Sequence, residues 1–502
     1  MKISVRPEIA AVLPAHRDHY YGGKWQSSAG GYVDTWNPAN NQSLGPCAEA
    51  NDSDVAAAVA SAQEAFLEWR DTKPLERARV LRSIAAAFRA HAGELALLDS
   101  ANCGGPVSLM ANDVEYAASH LDFFAGLVTE IKGDTIPMGH GAVNFSVREP
   151  WGVCARIVAY NHPFMFIGAR LASALAAGNT VIMKPAAQAP LSAYRMMEII
   201  GHLVPPGVIN VLSGGRPCGE ALVAHPDVPV ISLIGSVETG RAIARGAADR
   251  LKHVLLELGG KNALLVFADA DIEKAVEGIV RGMNYGFCGQ SCASTSRVFL
   301  HTSVHDEVLR RVVEKVRQFR PGSPTDSSTN MGCIISKVQH AKIMAHIDYG
   351  IREGAKLETG GKRPDDPALG AGNFIEPTVF SGVSMDMVIA REEIFGPVLS
   401  VLKWDDEAEL LKQVNALDVG LTAAIYTSNL NTAHYFASRV DAGYVWINHS
   451  AQHFLGTPFG GYKMSGVGRE ESIEELLSFT RQKNIYMNYG SSRNRLGELE
   501  AS

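Results

Sequence analysis

Between residues 152 and 262, short apolar runs alternate with segments of helical periodicity, and few folds accommodate that order. The runs read GVCARIVAY, TVIMKP, VINVLSG, VISLIG and HVLLELGG. Strands that are apolar along their whole length are buried on both faces, as in a parallel sheet covered by helices. The alternation therefore predicts a doubly wound α/β sheet, whose ligands bind at the carboxyl ends of the strands.

A second alternation extends from residue 261 to about residue 461 and predicts a second α/β domain. Its strand-like runs include SRVFLH, TVFSGV, VLSVLKW, TAAIYTSN and YVWIN. The length of 502 residues agrees with this, because one core rarely serves so long a chain. The first quarter instead predicts helices, at about residues 55–66, 74–98 and 114–131, because its apolar residues recur every three or four positions.

Composition and charge argue against several functional classes. The chain is 46% hydrophobic and 20% charged, which is typical of a globular protein. Its net charge of −7 comes without a basic run, so nucleic acid is not an expected partner. The N-terminus has no apolar segment of signal-peptide length, and polar residues interrupt the apolar stretch 157–183. We therefore expect no membrane span.

The cysteines point to a reducing compartment. The seven of them are scattered singly, with no CxxC pair, so the sequence predicts a cytoplasmic protein without a disulfide framework. No group of histidines and cysteines has the spacing of metal ligands, so no metal is expected.

One stretch joins an acid to a thiol. Glu257 leaves an apolar run and enters Leu-Gly-Gly-Lys; a second apolar run and a helix that Asp269 or Asp271 can cap then lead to Gly289-Gln290-Ser291-Cys292. A carboxylate placed near a cysteine can serve it as a base during nucleophilic catalysis. The stretch therefore predicts an active site that uses Cys292 and Glu257.

These motifs resemble those of the aldehyde dehydrogenase superfamily, and the resemblance extends along nearly the whole chain. Further matching runs follow in the family's order: Asn161 to Phe164, Met183 to Pro185, Gly235 to Gly240, Glu392 to Pro397, and Pro458 to Gly466. The resemblance implies an NAD(P)-dependent, non-phosphorylating enzyme that oxidises an aldehyde to a carboxylic acid.

The resemblance also implies catalytic roles for individual residues. Cys292 is the nucleophile, and Asn161 stabilises the oxyanion together with the backbone N–H of Cys292. Glu257 is the base that activates water to hydrolyse the thioester. Glu470 matches a second acid that some family members use to relay protons.

For the cofactor, the resemblance implies NAD, and it leaves NADP open. No GxGxxG motif follows the first strand, and Gly466-Val467-Gly468 reads as a turn. Many NAD-preferring relatives have a glutamate at the position of Ala187, so the charge that repels a 2′-phosphate is missing there. The residues implied in cofactor binding are Lys184, Ala187, Gly214, Gly235, Ser236, Gly240, Leu258, Glu393 and Phe395.

The same motifs imply a substrate channel lined by aromatic rings, with few charges. Such a channel favours an aromatic or heterocyclic aldehyde over a small anionic one. The implied lining residues are His162, Phe166, Phe287, Phe454 and Phe459.

The resemblance divides the chain into an NAD(P)-binding domain (residues 1–128 and 150–260), a catalytic domain (261–462) and a β-arm for oligomerisation (129–149 and 480–492). It implies a homodimer or homotetramer.

Two other readings stay open. A thiol hydrolase would use Cys292 without nicotinamide and would leave Ser236, Lys184 and Glu393 unexplained. A binding protein on the same fold would be expected to lack Cys292 or Glu257, and both are present.

Overall fold

The computed structural model describes residues 6–490. Within that range, no helix combines the length and the apolar character needed to cross a membrane. The helices are α1 (Pro7–Val12), α2 (Asp52–Trp69), α3 (Pro74–Ala90), α4 (Ala92–Cys103), α5 (Val107–Gly126), α6 (Pro163–Ala176), α7 (Leu191–Ile200), α8 (Arg216–Ala224), α9 (Val237–Ala248), α10 (Ile272–Gly282), α11 (His305–Val316), α12 (Lys337–Arg352), α13 (Val388–Arg391), α14 (Glu407–Asn415), α15 (Leu430–Ala437) and α16 (Ile473–Ser478).

The strands form two large sheets and three small ones within the described range. They are β1 (His19–Tyr21), β2 (Lys24–Gln26), β3 (Tyr32–Asn37), β4 (Gln42–Ala48), β5 (Thr135–Ile136), β6 (Ala142–Pro150), β7 (Val153–Ile157), β8 (Thr180–Lys184), β9 (Ile209–Val211), β10 (Val230–Gly235), β11 (His253–Leu258), β12 (Ala263–Val266), β13 (Arg297–His301), β14 (Lys356–Thr359), β15 (Thr378–Ser381), β16 (Val398–Trp404), β17 (Val419–Gly420), β18 (Thr422–Tyr426), β19 (Tyr444–Ile447), β20 (Tyr462–Lys463), β21 (Gly466–Val467) and β22 (Thr480–Asn488).

The first large sheet has the order β2-β1-β9-β8-β7-β10-β11-β21. Its central strands β9, β8, β7, β10 and β11 are parallel, and antiparallel strands close both edges. Every residue of β7 and β8 is buried, because helices such as α2 and α6 pack against the sheet. Burial on both faces is the reason why these strands are apolar throughout.

The second large sheet has the order β14-β15-β16-β13-β12-β18-β19 and is parallel except at β14. The helix after β12 begins as expected from the sequence, since the side chain of Asp271 accepts a hydrogen bond from Lys274 N at 3.2 Å. The predicted fold class of two doubly wound α/β sheets is confirmed.

A three-stranded antiparallel sheet links segments that lie far apart in the sequence. Its order is β22-β6-β5, and β22 pairs with β6 from Thr480 opposite Pro150 to Asn488 opposite Ala142. The two segments that the prediction assigned to a β-arm therefore pair with each other over these residues. Residues 491 and 492, which the prediction included in the arm, lie outside the described residues.

The prediction of one helix over residues 74–98 was wrong. The chain forms α3 and α4, which are separated at His91, where φ is −111° and ψ is 14°. The apolar spacing continues through this break, so periodicity alone could not reveal it. The next helix also begins earlier than the predicted residue 114: α5 follows Pro106 and ends at Gly126. Proline at a helix start was the signal that the prediction missed.

Gly466 and Val467 were interpreted as a turn, but they form the short strand β21. It pairs antiparallel with β11, so that Gly466 lies opposite Glu257 and Val467 opposite Leu256. The pairing covers the edge of the sheet at Glu257.

Candidate active site

Four of the predicted site residues lie at one rim of the first sheet. Lys184 ends β8, Glu257 lies near the end of β11, and Asn161 and Ser236 follow β7 and β10. These strands are parallel neighbours in the order β8-β7-β10-β11, and the carboxyl ends of parallel strands meet at one edge. The fold therefore brings together residues as distant in the sequence as Asn161 and Glu257, which are 96 positions apart.

The loop before Cys292 is fixed by a glycine and a glutamine. Gly289 has a φ of 65°, and a Cβ there would collide with the carbonyl oxygen of Gly396. The Gln290 side chain donates to Cys333 O at 3.2 Å and accepts from Ile335 N at 3.1 Å. Only glycine fits the first position, and the amide at the second anchors the loop to the neighbouring chain segment.

Asn262 holds the same loop from the other side. Its amide donates to the carbonyl oxygens of Cys292 at 2.7 Å and Ser294 at 3.0 Å, and it accepts from Thr422 N at 3.0 Å. The backbone N–H of Cys292 donates to no residue in the described part of the chain. It is therefore free to stabilise a developing oxyanion.

Cys292 and Glu257 line the same cavity, and each side chain shifts the pKa of the other. Burial, followed by the charge of Glu470, raises the pKa of Glu257 to about 8. Burial and the neighbouring Glu257 hold the pKa of the Cys292 thiol well above its usual value. At neutral pH the thiol is therefore protonated and needs a base, and Glu257 is the acid beside it. The Glu257 Oε1 atom is buried and has no hydrogen-bond partner among residues 6–490, which suits a carboxylate that also has to activate water.

Glu470 belongs to a buried network of charges next to Glu257. Its carboxylate pairs with Arg170 at 2.5 Å, and the same guanidinium lies 3.7 Å from Glu475. Burial raises the pKa of Glu470 to about 7, although the charge of Arg170 acts in the opposite direction. The charge of Glu470 therefore acts on the ionisation of Glu257.

Cys292 and Glu257 line one cavity of about 240 Å³. Four of the five predicted pocket residues line it with them, namely His162, Phe166, Phe287 and Phe459. The fifth, Phe454, does not, and its side chain is 53% exposed. Asn161 and Glu470 do not line the cavity either, but Asn161 precedes a residue that does, and Glu470 hydrogen-bonds through its backbone to Phe459.

The expectation of a channel with few charges was wrong. Besides Glu257, the cavity wall includes Asp113, Arg170 and Glu471. Asp113 comes from α5 and Glu471 from the segment before α16, far from the motifs in the sequence. The motifs could not indicate these residues, because only packing of distant elements brings them to the wall.

The nicotinamide end of the predicted cofactor site contains Glu393 and two glycines. The Glu393 carboxylate accepts a hydrogen bond from Gly260 N at 3.2 Å and lies so close to Gly259 that a Cβ there would overlap it. Burial raises the pKa of Glu393 to about 7. Nearby, the ring of Phe395 packs edge-on against Tyr160 at 5.9 Å.

At the pyrophosphate end, the Ser236 side chain caps α9 by accepting from Thr239 N at 3.2 Å. The remaining N–H groups of the first turn of α9 can bind an anion. Gly235 immediately precedes the cap. Gly240, in the first turn, lies against Leu258, because a Cβ added at position 240 would lie 2.5 Å from Leu258 Cδ1. The residues present therefore suit a dinucleotide.

At the adenosine end, sequence reasoning missed Glu49. Lys184 is buried, and burial lowers its pKa, while the charge of Glu49 opposes that shift. Glu49 accepts from Gly215 N at 2.5 Å and lies beside Gly214. Ala187 is exposed and contributes no charge. The carboxylate of Glu49 thus lies close enough for its charge to act on Lys184, although the expected position carries alanine. The sequence around residue 49 gives no sign of this.

The other residues that sequence reasoning missed are the polar members of the cavity wall. Arg170 lies on α6, seven residues after the proline of the Asn-x-Pro motif, and Glu471 adjoins Glu470, so both had a weak signal. Asp113 and His453 had none. No cluster of potential metal ligands is found in the described residues.

Comparison with known proteins agrees with this geometry. Residues 25–485 match the model of the aldehyde dehydrogenase family. The chain is 50% identical over 494 residues to aldehyde dehydrogenase tropH from Talaromyces stipitatus, covering 97% of this chain and 96% of that one. It is 38% identical over 475 residues to betaine aldehyde dehydrogenase from Mesorhizobium japonicum, covering 94% of this chain and 97% of that one.

Among solved structures, the NAD⁺ complex of an aldehyde dehydrogenase from Bacillus cereus is similar at a TM-score of 0.93 and 35% identity. The match covers 98% of this chain and 100% of that chain. The chain therefore belongs to the aldehyde dehydrogenase family and oxidises an aldehyde to a carboxylic acid, with NAD as the acceptor of the hydride.

Proposed function

We propose that Cys292 is the nucleophile of this oxidation and that Glu257 is its base. The proposal is carried by their place in one cavity, where the carboxyl group and the thiol shift each other's pKa. When the sulfur attacks the carbonyl carbon, Glu257 takes the thiol proton and the carbonyl oxygen becomes an oxyanion. The free N–H of Cys292 and the side-chain amide of Asn161 stabilise that oxyanion. Bound NAD would accept the hydride that the thiohemiacetal carbon loses as its oxyanion re-forms the carbonyl, and a thioester would remain on Cys292.

The thioester is hydrolysed by water that Glu257 activates. Its unpartnered Oε1 accepts a proton from the water while the oxygen attacks the acyl carbon, and the carbon–sulfur bond breaks. The carboxylic acid leaves and the thiol forms again. Before the water attacks, Glu257 passes the thiol proton to Glu470 and is ionised again; the proton that it then takes from water returns to the thiolate of Cys292. Arg170 stabilises the ionised form of Glu470 between turnovers.

For the cofactor, we assign Ser236 and the start of α9 to the pyrophosphate, Glu393 to the nicotinamide ribose, and Lys184 to the adenosine ribose. Gly214, Gly235, Gly240, Leu258 and Phe395 shape the surrounding surface. NAD is preferred over NADP, because the carboxylate of Glu49 takes over the repulsion that Ala187 cannot supply.

The substrate is an aromatic or heterocyclic aldehyde. Support comes from the aromatic part of the cavity wall, where Phe287 and Phe166 flank His162 at centroid distances of 4.4 and 5.6 Å. Flat faces at these distances favour a planar substrate. Reduction of NAD should be measured with aldehydes from acetaldehyde to benzaldehyde, with Cys292→Ala as the inactive control. Clear preference for short aliphatic aldehydes would refute the assignment.

We assign residues 1–128 and 150–260 to the NAD(P)-binding domain and residues 261–462 to the catalytic domain. Residues 129–149 and 480–492 form the oligomerisation arm, and the assembly is a homodimer or homotetramer. The long unprotected edge of β22 supports this role, because such an edge can pair with a second chain. Mass measurement in solution tests the assembly.

The seven free cysteines support a cytoplasmic location.

A further inference from the structure

The cavity contains two imidazoles that are each held by a carboxylate. His162 Nδ1 lies 2.8 Å from Asp113 Oδ2, and His453 Nδ1 lies 3.4 Å from Glu471 Oε1. All four residues line the cavity that contains Cys292. The contact to Asp113 is the shorter one, so His162 is the better positioned ring.

The carboxylate determines which nitrogen of His162 carries the proton. An ionised Asp113 can only accept, so the ring proton lies on Nδ1 and the lone pair lies on Nε2. Nε2 makes no hydrogen bond to the described residues, and it is not enclosed by protein. In its neutral form the ring therefore presents an acceptor at the cavity wall.

The aromatic neighbours restrict what can reach this acceptor. The ring of His162 lies between Phe287 and Phe166, so a planar ligand that contacts the phenyl rings has its edge near the imidazole. The surrounding charges then select among polar substituents. Asp113 and Glu471 contribute two carboxyl groups besides the largely protonated Glu257, and the one arginine or lysine of the described wall, Arg170, is paired with Glu470 and Glu475. An additional carboxylate on the substrate is therefore disfavoured.

We infer that the substrate is an aromatic aldehyde that carries a ring hydroxyl group, and that His162 accepts the hydrogen bond of this hydroxyl while Asp113 positions the imidazole. A hydroxyl satisfies Nε2, whereas a methoxy group has no proton to donate and leaves Nε2 unpartnered. This inference rests on the proposed aromatic substrate and extends it.

The test compares kcat/KM for benzaldehyde, its three hydroxy isomers, the matching methoxy isomers and the carboxy isomers. For the wild-type protein we expect the best hydroxybenzaldehyde to exceed its methoxy counterpart by at least about fivefold, the effect of one hydrogen bond. In His162→Phe this ratio falls to about one. In His162→Gln, whose amide oxygen can also accept, part of the ratio is restored.

Asp113→Asn tests the positioning role, because an amide can either donate to or accept from Nδ1 and no longer fixes the tautomer. The ratio of hydroxy to methoxy substrate should fall while the melting temperature stays close to that of the wild type. His453→Phe is the matched comparison, and its ratio should change less than that of His162→Phe.

Several outcomes would overturn the inference: equal rates for hydroxy and methoxy isomers in the wild type, an unchanged ratio in His162→Phe, or a preference for carboxybenzaldehydes. If benzaldehyde is oxidised under any of these outcomes, the proposed aromatic substrate survives and only the hydroxyl assignment fails. If acetaldehyde is clearly the best substrate, both fail.

Discussion

Replacing Glu257 with glutamine separates hydride transfer from acid release. The amide is close in size to the carboxyl group but cannot take a proton, so hydrolysis of the thioester loses its base. General base catalysis contributes about 10²- to 10⁴-fold, and we expect the steady-state rate to fall within that range. Acylation slows as well, because Glu257 also accepts the thiol proton, but each Cys292 can still react once.

The pKa of Glu257 sets the size of the pH effect. With a pKa of about 8, only about one-tenth of the carboxyl groups are ionised at pH 7. The wild-type kcat should therefore rise about tenfold between pH 7 and a plateau above pH 9. In Glu257→Gln this limb should disappear.

Stopped-flow absorbance of NADH at a series of pH values measures both quantities. The variant should show a burst of about one NADH per active site followed by very slow turnover. Glu474→Gln is the matched control, because Glu474 is exposed on α16 and should behave like the wild type. A steady-state rate in Glu257→Gln close to that of the wild type, or an unchanged pH limb, would refute the assignment of Glu257 as the base.

Three further predictions follow from buried charges. The pKa of Glu257 is raised in the folded state, so its contribution to stability is present below pH 4.5 and is lost as the pH rises through about 8. Relative to Glu257→Gln, the wild type should therefore lose about 4 kcal/mol of unfolding free energy between pH 5 and 8. Urea unfolding that gives the same difference between the two proteins at both pH values would contradict this. Arg170→Met leaves Glu470 without its cation, while Glu475 keeps Arg156 at 3.2 Å, and should cost about 3–5 kcal/mol in denaturant unfolding; a loss below about 1 kcal/mol would contradict this. Glu49→Gln should raise the affinity for NADP⁺ relative to NAD⁺ by about five- to tenfold, as measured by titration calorimetry. The exposed Glu238→Gln is the comparison. An unchanged ratio of the two affinities in Glu49→Gln would show that another residue determines cofactor selectivity.

Much of the fold and part of the site could be predicted from the sequence because they depend on local pattern. Fully apolar runs indicated strands buried on both faces, and their alternation with helices indicated parallel sheets. Once the strands are parallel and adjacent, Lys184 and Glu257 must lie at one rim. The break between α3 and α4 and the strand β21 escaped prediction, because neither alters the local pattern of apolar residues.

The sequence by itself determined the two α/β sheets, the rim that carries Glu257, and the loop in which Gly289 and Gln290 precede Cys292. Only the tertiary structure decided what surrounds them. Asp113 meets His162 because α5 packs on α6, and Glu49 reaches Gly215 across 166 residues. The physical reason is that the formation of strands and helices follows from local hydrophobic patterning. Contacts between side chains on different elements instead depend on how those elements pack, which no spacing within the sequence encodes.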